Sequence, residues 1–171
     1  MKVIFLDLDG VLNDNFFLLK NLRNRHTIDN GDLSEKRILS LKRIVDKTGA
    51  KIVLSSSCKS KFNNNNPKEY RKDTRAEVLV KTFERLGLEI FDLTEKIDTD
   101  FSTQGWSRPY EIEKYLSVHK DIENYVILDD DDGGMKKRFG KHFIKTNCNK
   151  GGLIRCRANR AIQILNQERE D

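Results

Sequence analysis

Two kinds of apolar pattern alternate along the chain. Val3, Ile4, Phe5 and Leu6 form a short continuous run, as do Ile52, Val53 and Leu54, and again Val126, Ile127 and Leu128. Runs of this length and continuity suit strands buried on both faces of a parallel sheet. Leu88 to Leu93 and a segment near His142 to Thr146 read as further strands. Between them the apolar residues recur every three or four positions. Ser34 is placed to cap a helix running to about Thr48, with Ile38, Leu41, Ile44 and Val45 on one face and Gly49 at its end. Thr74 and Glu77 form a capping-box pattern before Val78, Leu79, Phe83 and Leu86, with Gly87 as the stop. Pro109 to about Val118 presents Ile112, Tyr115 and Leu116, and a last helix from about Ile154 presents Ala158, Ala161, Ile162 and Leu165. Strands alternating with helices imply βαβ units, hence an α/β fold with a parallel sheet covered on both sides.

Residues just past each apolar run carry the chemistry. Asp7 and Asp9 end the first, directly before Gly10, whose missing Cβ lets the backbone turn sharply. In open α/β sheets ligands bind beyond the carboxyl ends of the strands, so Asp7 lies on the edge where a reactive group belongs. Two carboxylates about 4 Å apart repel by roughly 4 kcal/mol at an effective dielectric near 20, which favours a cation between them. With no histidine or cysteine beside them, the fitting ion is Mg2+, which takes oxygen ligands and shares its shell with phosphate. An Asx-type turn is the alternative for an isolated D-x-D-G. Asp129, Asp130, Asp131 and Asp132 come directly after the Val126 run, before Gly133 and Gly134. A solvated acidic loop gives no reason for an apolar strand to deliver Asp129 to the same edge, so Asp129 is expected as a direct ligand and Asp130 as the next, with Asp131 and Asp132 further out. Ser55, Ser56 and Ser57 end the Ile52 run, where they either bind a phosphate oxygen or cap the next turn.

Taken together, these strand ends resemble the haloacid dehalogenase-like (HAD) phosphatase superfamily, whose signature is D-x-D-G after the first strand. The resemblance covers nearly the whole chain and implies a single-domain Rossmann-like HAD fold. It implies Asp7 as the nucleophile that forms an aspartyl-phosphate and Asp9 as general acid and base. Ser55 matches the residue that holds the transferring group, with Ser56 as the register alternative. Arg108 is the choice for the cation that screens the nucleophile, and Asp7, Asp9, Asp129 and Asp130 make up the implied magnesium site. The segments F-L-D-L-D-G-V-L-N, K-I-V-L-S-S-S and Y-V-I-L-D-D-D-D further resemble a small HAD subgroup associated with nucleic-acid end repair. Where that subgroup has Trp-Arg after the serines, this chain has Cys58 and Lys59. Lys59 can still contact substrate as a point charge, without arginine's bidentate fork.

The 171 residues suit one domain, 1–171. Short insertions at about 13–32 and 59–73 leave little room for a cap, so the site is expected to be open to the ends of macromolecules. A net charge of +5 and a pI near 9.1 agree with a polyanionic partner, RNA or DNA. Lys59, Lys61, Lys68, Arg71 and Lys72 cluster past the serines, as a basic rim or a solvated loop, and Phe62, Tyr70 and Trp106 either stack on bases or pack on the sheet. Asn63 to Asn66 reads as a loop tip. Three cysteines without metal spacing suggest no disulfide framework, and Cys58 has no histidine partner in the sequence around it. Neither a leader nor an apolar run of spanning length is visible, so a reducing cytoplasm is the expected setting. The expected activity is Mg2+-dependent phosphomonoester hydrolysis on nucleic-acid ends. A small-molecule phosphatase such as a nucleotidase, or a non-catalytic nucleic-acid-binding module, are the alternatives. A response-regulator receiver shares the acidic sheet edge, but its phospho-acceptor comes after a middle strand, where this chain has serines.

Overall fold

The computed structural model describes residues 1–15, 17–19, 33–63, 65–72, 74–97 and 107–167. Five strands, β1 (Lys2–Leu6), β2 (Lys51–Leu54), β3 (Ile90–Leu93), β4 (Asn124–Asp129) and β5 (Phe143–Lys145), form one sheet in the order β3-β2-β1-β4-β5, every neighbouring pair parallel. The helices are α1 (Glu35–Thr48), α2 (Arg75–Arg85), α3 (Arg108–Val118), α4 (Met135–Phe139) and α5 (Arg155–Asn166). This is the α/β Rossmann-like arrangement expected, and among the described residues no second domain stands over the sheet.

Alternation along the strands sorts the core into two layers. Ile4, Leu6, Ile52, Leu54, Val126, Leu128 and Ile144 share a cluster with Leu41 of α1, Phe83 of α2 and Leu165 of α5. Val3, Phe5, Val53, Ile127 and Phe143 pack instead against Ile112 and Tyr115 of α3 and Met135 and Phe139 of α4. Because both faces are covered, each strand must be apolar at consecutive positions, which is why the runs are unbroken. The helices α1 and α2, which lead to β2 and β3, lie on one face, and α3 and α4, which lead to β4 and β5, on the other. The seam between β1 and β4 is therefore the point where the winding reverses, the usual place for a ligand in such sheets.

Register then fixes which polar residues meet. Leu6 pairs with Leu54 and with Leu128. One step further, the Asp7 N–H donates to the Leu128 carbonyl (3.0 Å), the Ser55 N–H to Leu6 (2.9 Å), the Thr94 N–H to Leu54 (3.1 Å) and the Thr146 N–H to Asp129 (2.8 Å). The backbone ladder thus carries Asp7, Ser55, Thr94, Asp129 and Thr146 to one rim.

Local structure departs from expectation at two helix caps and adds detail in the second insertion. Ser34 and Thr74 precede α1 and α2, but neither hydroxyl caps its helix. The Thr74 hydroxyl donates backwards to the Arg71 carbonyl (2.6 Å), and Glu77 pairs with Lys81 (2.7 Å). Residues 57–61 form a 3-10 turn, after which Phe62 and Tyr70 bridge antiparallel, so the described part of the second insertion is a small hairpin. Its tip is hydrogen-bonded, Asn66 N–H to the Asn63 carbonyl (2.8 Å) and Glu69 N–H to the Asn66 carbonyl (3.0 Å). Phe62 is buried in the core and meets Tyr70 edge-to-face at 6.2 Å, so packing rather than base stacking accounts for both rings. Trp106 and most of the first insertion lie outside the described residues.

Candidate active site

At the β1–β4 seam, one oxygen from each of Asp7, Asp129 and Asp130 lies within 4.8 Å of the others. Asp7 and Asp129 are buried and Asp130 is half-buried. Gly10 makes the third member's approach possible. It sits at φ +65°, and a Cβ there would come within 2.2 Å of the Asp130 Oδ2. Asp131, exposed, donates its N–H to Asp129 Oδ1 (2.9 Å), and Asp132 accepts the Lys136 N–H (3.0 Å) where α4 begins.

Burial and mutual repulsion set the electrostatics of the three. Burial pushes the Asp129 carboxyl up, with the Asp7 charge adding to it and Arg108 opposing, to about 7. Burial likewise raises Asp7, against the pull of Arg108 and a hydrogen bond from Ser56, and raises Asp130, with Asp7 adding to the effect. Arg108, the first residue of α3, answers part of this charge. Its Nη1 is 3.4 Å from Asp7 Oδ2 and hydrogen-bonds Asp129 Oδ2. Burial works against that cation, but Asp7 and Asp129 hold the guanidinium above its usual range. One guanidinium cannot balance three carboxylates. A set of oxygen donors with an acidic excess, buried on one side and open on the other, fits a hard divalent cation.

Asp9, expected among the metal ligands, is held elsewhere. Arg75, the first residue of α2, grips it with both arms of its fork, Nη1 to Oδ2 at 2.9 Å and Nη2 to Oδ1 at 2.8 Å. Asn13 Nδ2 donates to Asp9 Oδ1 (2.9 Å) while Asn13 Oδ1 accepts the Gly10 N–H (2.8 Å). The Arg75 hydrogen bonds, opposed by partial burial and assisted by Asn13, keep the Asp9 carboxyl below the usual carboxylate range. With both oxygens engaged and its side chain 55% exposed, Asp9 is not one of the converging group Asp7, Asp129 and Asp130.

The two serines do different things. Ser56 is fully buried beside Asp7 and accepts the Cys58 N–H (3.3 Å). Ser55 lines a cavity of about 830 Å3 together with Lys59, Phe62, Ser107, Arg108 and Glu111, and its buried hydroxyl has no hydrogen-bond partner among the described residues. An unpaired hydroxyl facing such a cavity is a ready contact for a ligand oxygen. Lys59 reaches the same cavity, but its ammonium is committed. It donates to Thr94 Oγ1 (2.9 Å) and is paired with the buried Glu111, which also accepts the Ser107 hydroxyl (3.0 Å). Burial lowers the Lys59 ammonium, with Glu111 opposing that shift. Cys58 is buried, which pushes its thiol up and away from the reactive thiolate.

Arg75, Asn13 and Glu111 are the site residues that sequence reasoning missed. Asn13 closes the motif F-L-D-L-D-G-V-L-N, so its nearness to Asp9 and Gly10 was the signal that could have found it. Arg75 opens α2 and Glu111 lies in the first turn of α3, where a charged residue looks solvated.

The model of one protein family, described as the HAD domain in Swiss Army Knife RNA repair proteins, matches residues 3–153. Comparison with curated proteins and with solved structures gave no match.

Proposed function

The chain belongs to the family of HAD domains of Swiss Army Knife RNA repair proteins, and on that basis we propose that it is a phosphomonoester hydrolase acting on the terminal phosphate of a nucleic acid. One observation carries the reading: three carboxylates from β1 and β4 converge at the reversal of the sheet with an arginine set between two of them. Asp7, Asp129 and Asp130 would hold Mg2+, which when bound neutralises charge on the phosphoryl oxygens.

The remaining work falls to the chain's own groups. An Asp7 carboxylate oxygen forms a bond to phosphorus as the ester bond breaks, which divides the reaction into two easier displacements. Asp9 gives a proton to the leaving oxygen, then takes one from the water that cleaves the aspartyl-phosphate. The Arg75 ion pair favours ionised Asp9, which suits the second half and opposes the first. Arg108 and the Ser55 hydroxyl stabilise the equatorial oxygens, with Ser56 holding Asp7 in place. An open rim and the basic residues past Ser57 suit a polymer end. The 830 Å3 cavity beside Ser55 supports a second reading, a small phosphomonoester such as a mononucleotide, since it lies in the range of small-ligand sites.

Replacing Asp7 by Asn keeps size and shape while removing the nucleophilic oxygen. The expected result is loss of Mg2+-dependent phosphate release by several orders of magnitude, with binding of an end-phosphorylated oligonucleotide retained. Turnover that survives in Asp7→Asn contradicts the assignment.

A further inference from the structure

We propose that Arg75 is an exchangeable phosphate anchor: its guanidinium holds Asp9 between turnovers and moves to a phosphodiester of the incoming polynucleotide, leaving the Asp9 carboxylate free to turn toward the reacting phosphoryl group. This deepens the phosphatase reading above and rests on it.

Geometry supplies the first reason. A bidentate fork at 2.9 and 2.8 Å is the arrangement that guanidinium makes equally well with a carboxylate or with two oxygens of a phosphate. Both partners carry one negative charge, so the exchange trades like for like. It also takes place where water can assist, since the Asp9 side chain is 55% exposed and that of Arg75 29%. A buried pair would resist separation. This one stands at the lip.

Neighbouring structure supplies the second. The hairpin closed by Phe62 and Tyr70 sets the Arg71 N–H on the Lys61 carbonyl (2.9 Å), and the Thr74 hydroxyl ties Arg71 to the start of α2 (2.6 Å). Lys61, Arg71 and Lys72 are all exposed, and among the described residues none of them pairs with a carboxylate. The turn 57–61 that leads into this hairpin packs against α2, whose first residue is Arg75, so the basic hairpin and the fork on Asp9 are neighbours. A polyanion whose end lies at Asp7 therefore meets concentrated positive charge beside Arg75.

This exchange would discriminate between substrates. A nucleoside monophosphate has one phosphate, the reacting one, and offers Arg75 nothing to exchange for. A polynucleotide brings a second.

The experiment measures kcat/KM for short RNA oligonucleotides phosphorylated at the 3′ or the 5′ end and for the matching mononucleotides. It compares the natural protein with Arg75→Ala and Arg75→Lys, and includes Asp7→Asn as a control. The natural protein is expected to prefer the oligonucleotide at one end. Arg75→Ala should reduce that preference by roughly tenfold or more, chiefly through KM, as loss of a charge-assisted hydrogen-bonding partner requires. Arg75→Lys should restore part of it, because a point charge survives. Equal losses on oligonucleotide and mononucleotide in Arg75→Ala, or no preference in the natural protein, overturn the exchange. Should Arg75→Ala fail to fold, Arg75→Lys and Arg75→Gln report the same ratio. Residual turnover in Asp7→Asn strikes at the phosphatase reading itself, whereas equal losses at Arg75 beside an inactive Asp7→Asn strike only at the exchange.

Discussion

Gly10 and Glu111 show two ways in which one residue governs the site. At Gly10 an added methyl meets strain and obstruction together, from a left-handed φ of +65° and from Asp130 Oδ2 at 2.2 Å. The left-handed conformation alone costs about 1–2 kcal/mol for a residue with a Cβ. Gly10→Ala is therefore expected to lower stability by at least that amount and to weaken Mg2+ binding measured by calorimetry; an unchanged affinity would show that Asp130 need not approach so closely. At Glu111 the issue is an uncompensated charge. Lys59 and Glu111 are 10% and 4% exposed, and removing one partner from such a pair costs about 3–5 kcal/mol. Glu111→Gln should lose stability on that scale in urea titrations, and Lys59→Met with Glu111→Leu should lose much less. Equal losses would mean the network of Thr94 and Ser107, not the charge, dominates. The sequence made Asp7, Asp129, Asp130 and Arg108 legible because each sits next to an apolar run or helix start with a defined place on the rim. Arg75 was not legible, because its partner Asp9 is sixty-six positions away and nothing local marks the pairing.

Between elements, β1 and β4 press Asp7 and Asp129 together, and that contact has a pH signature. Asp129 is pushed up to about 7, and Asp7 and Asp130 are also raised. Carboxyls raised on folding bind more protons in the native state than in the unfolded chain between pH about 4 and 7. Metal-free stability should therefore fall as pH rises through that window. Divalent cations compete with those protons. The gain in Tm from Mg2+ should accordingly be larger near pH 8 than near pH 5.5, a comparison made by calorimetric melts; an equal gain at both would place the metal away from these groups. Long elements were readable at this scale, within a residue or two, because their apolar period is unambiguous over ten or more positions. The five-residue α4 is too short for a period to show, and it went unpredicted. Capping failed for a different reason: the Thr74 hydroxyl is turned back to donate to the Arg71 carbonyl, three residues earlier, and accepts nothing from the first turn of α2.

Across the whole molecule, charge and openness act together. If the basic rim engages about three phosphates of a single strand, kcat/KM on oligonucleotides should fall roughly twentyfold between about 50 and 200 mM salt. Mononucleotide turnover should fall far less. Parallel salt slopes for the two substrates would argue that the rim takes no part. The doubly wound sheet itself was legible because continuous apolar runs leave a strand no choice but burial on both faces. The basic cluster past the serines was legible too, but only the hairpin shows Lys61 and Arg71 held opposite each other, by the Arg71 N–H on the Lys61 carbonyl.

Parallel pairing has one more result. All five strands begin at one end of the molecule and finish at the other, and β1 alone spans about 15 Å between them. Glu123, 73% exposed, precedes β4 at the starting end. A surface tether attached there would leave the chemistry facing outward, able to meet the terminus of a polymer of any length without threading it.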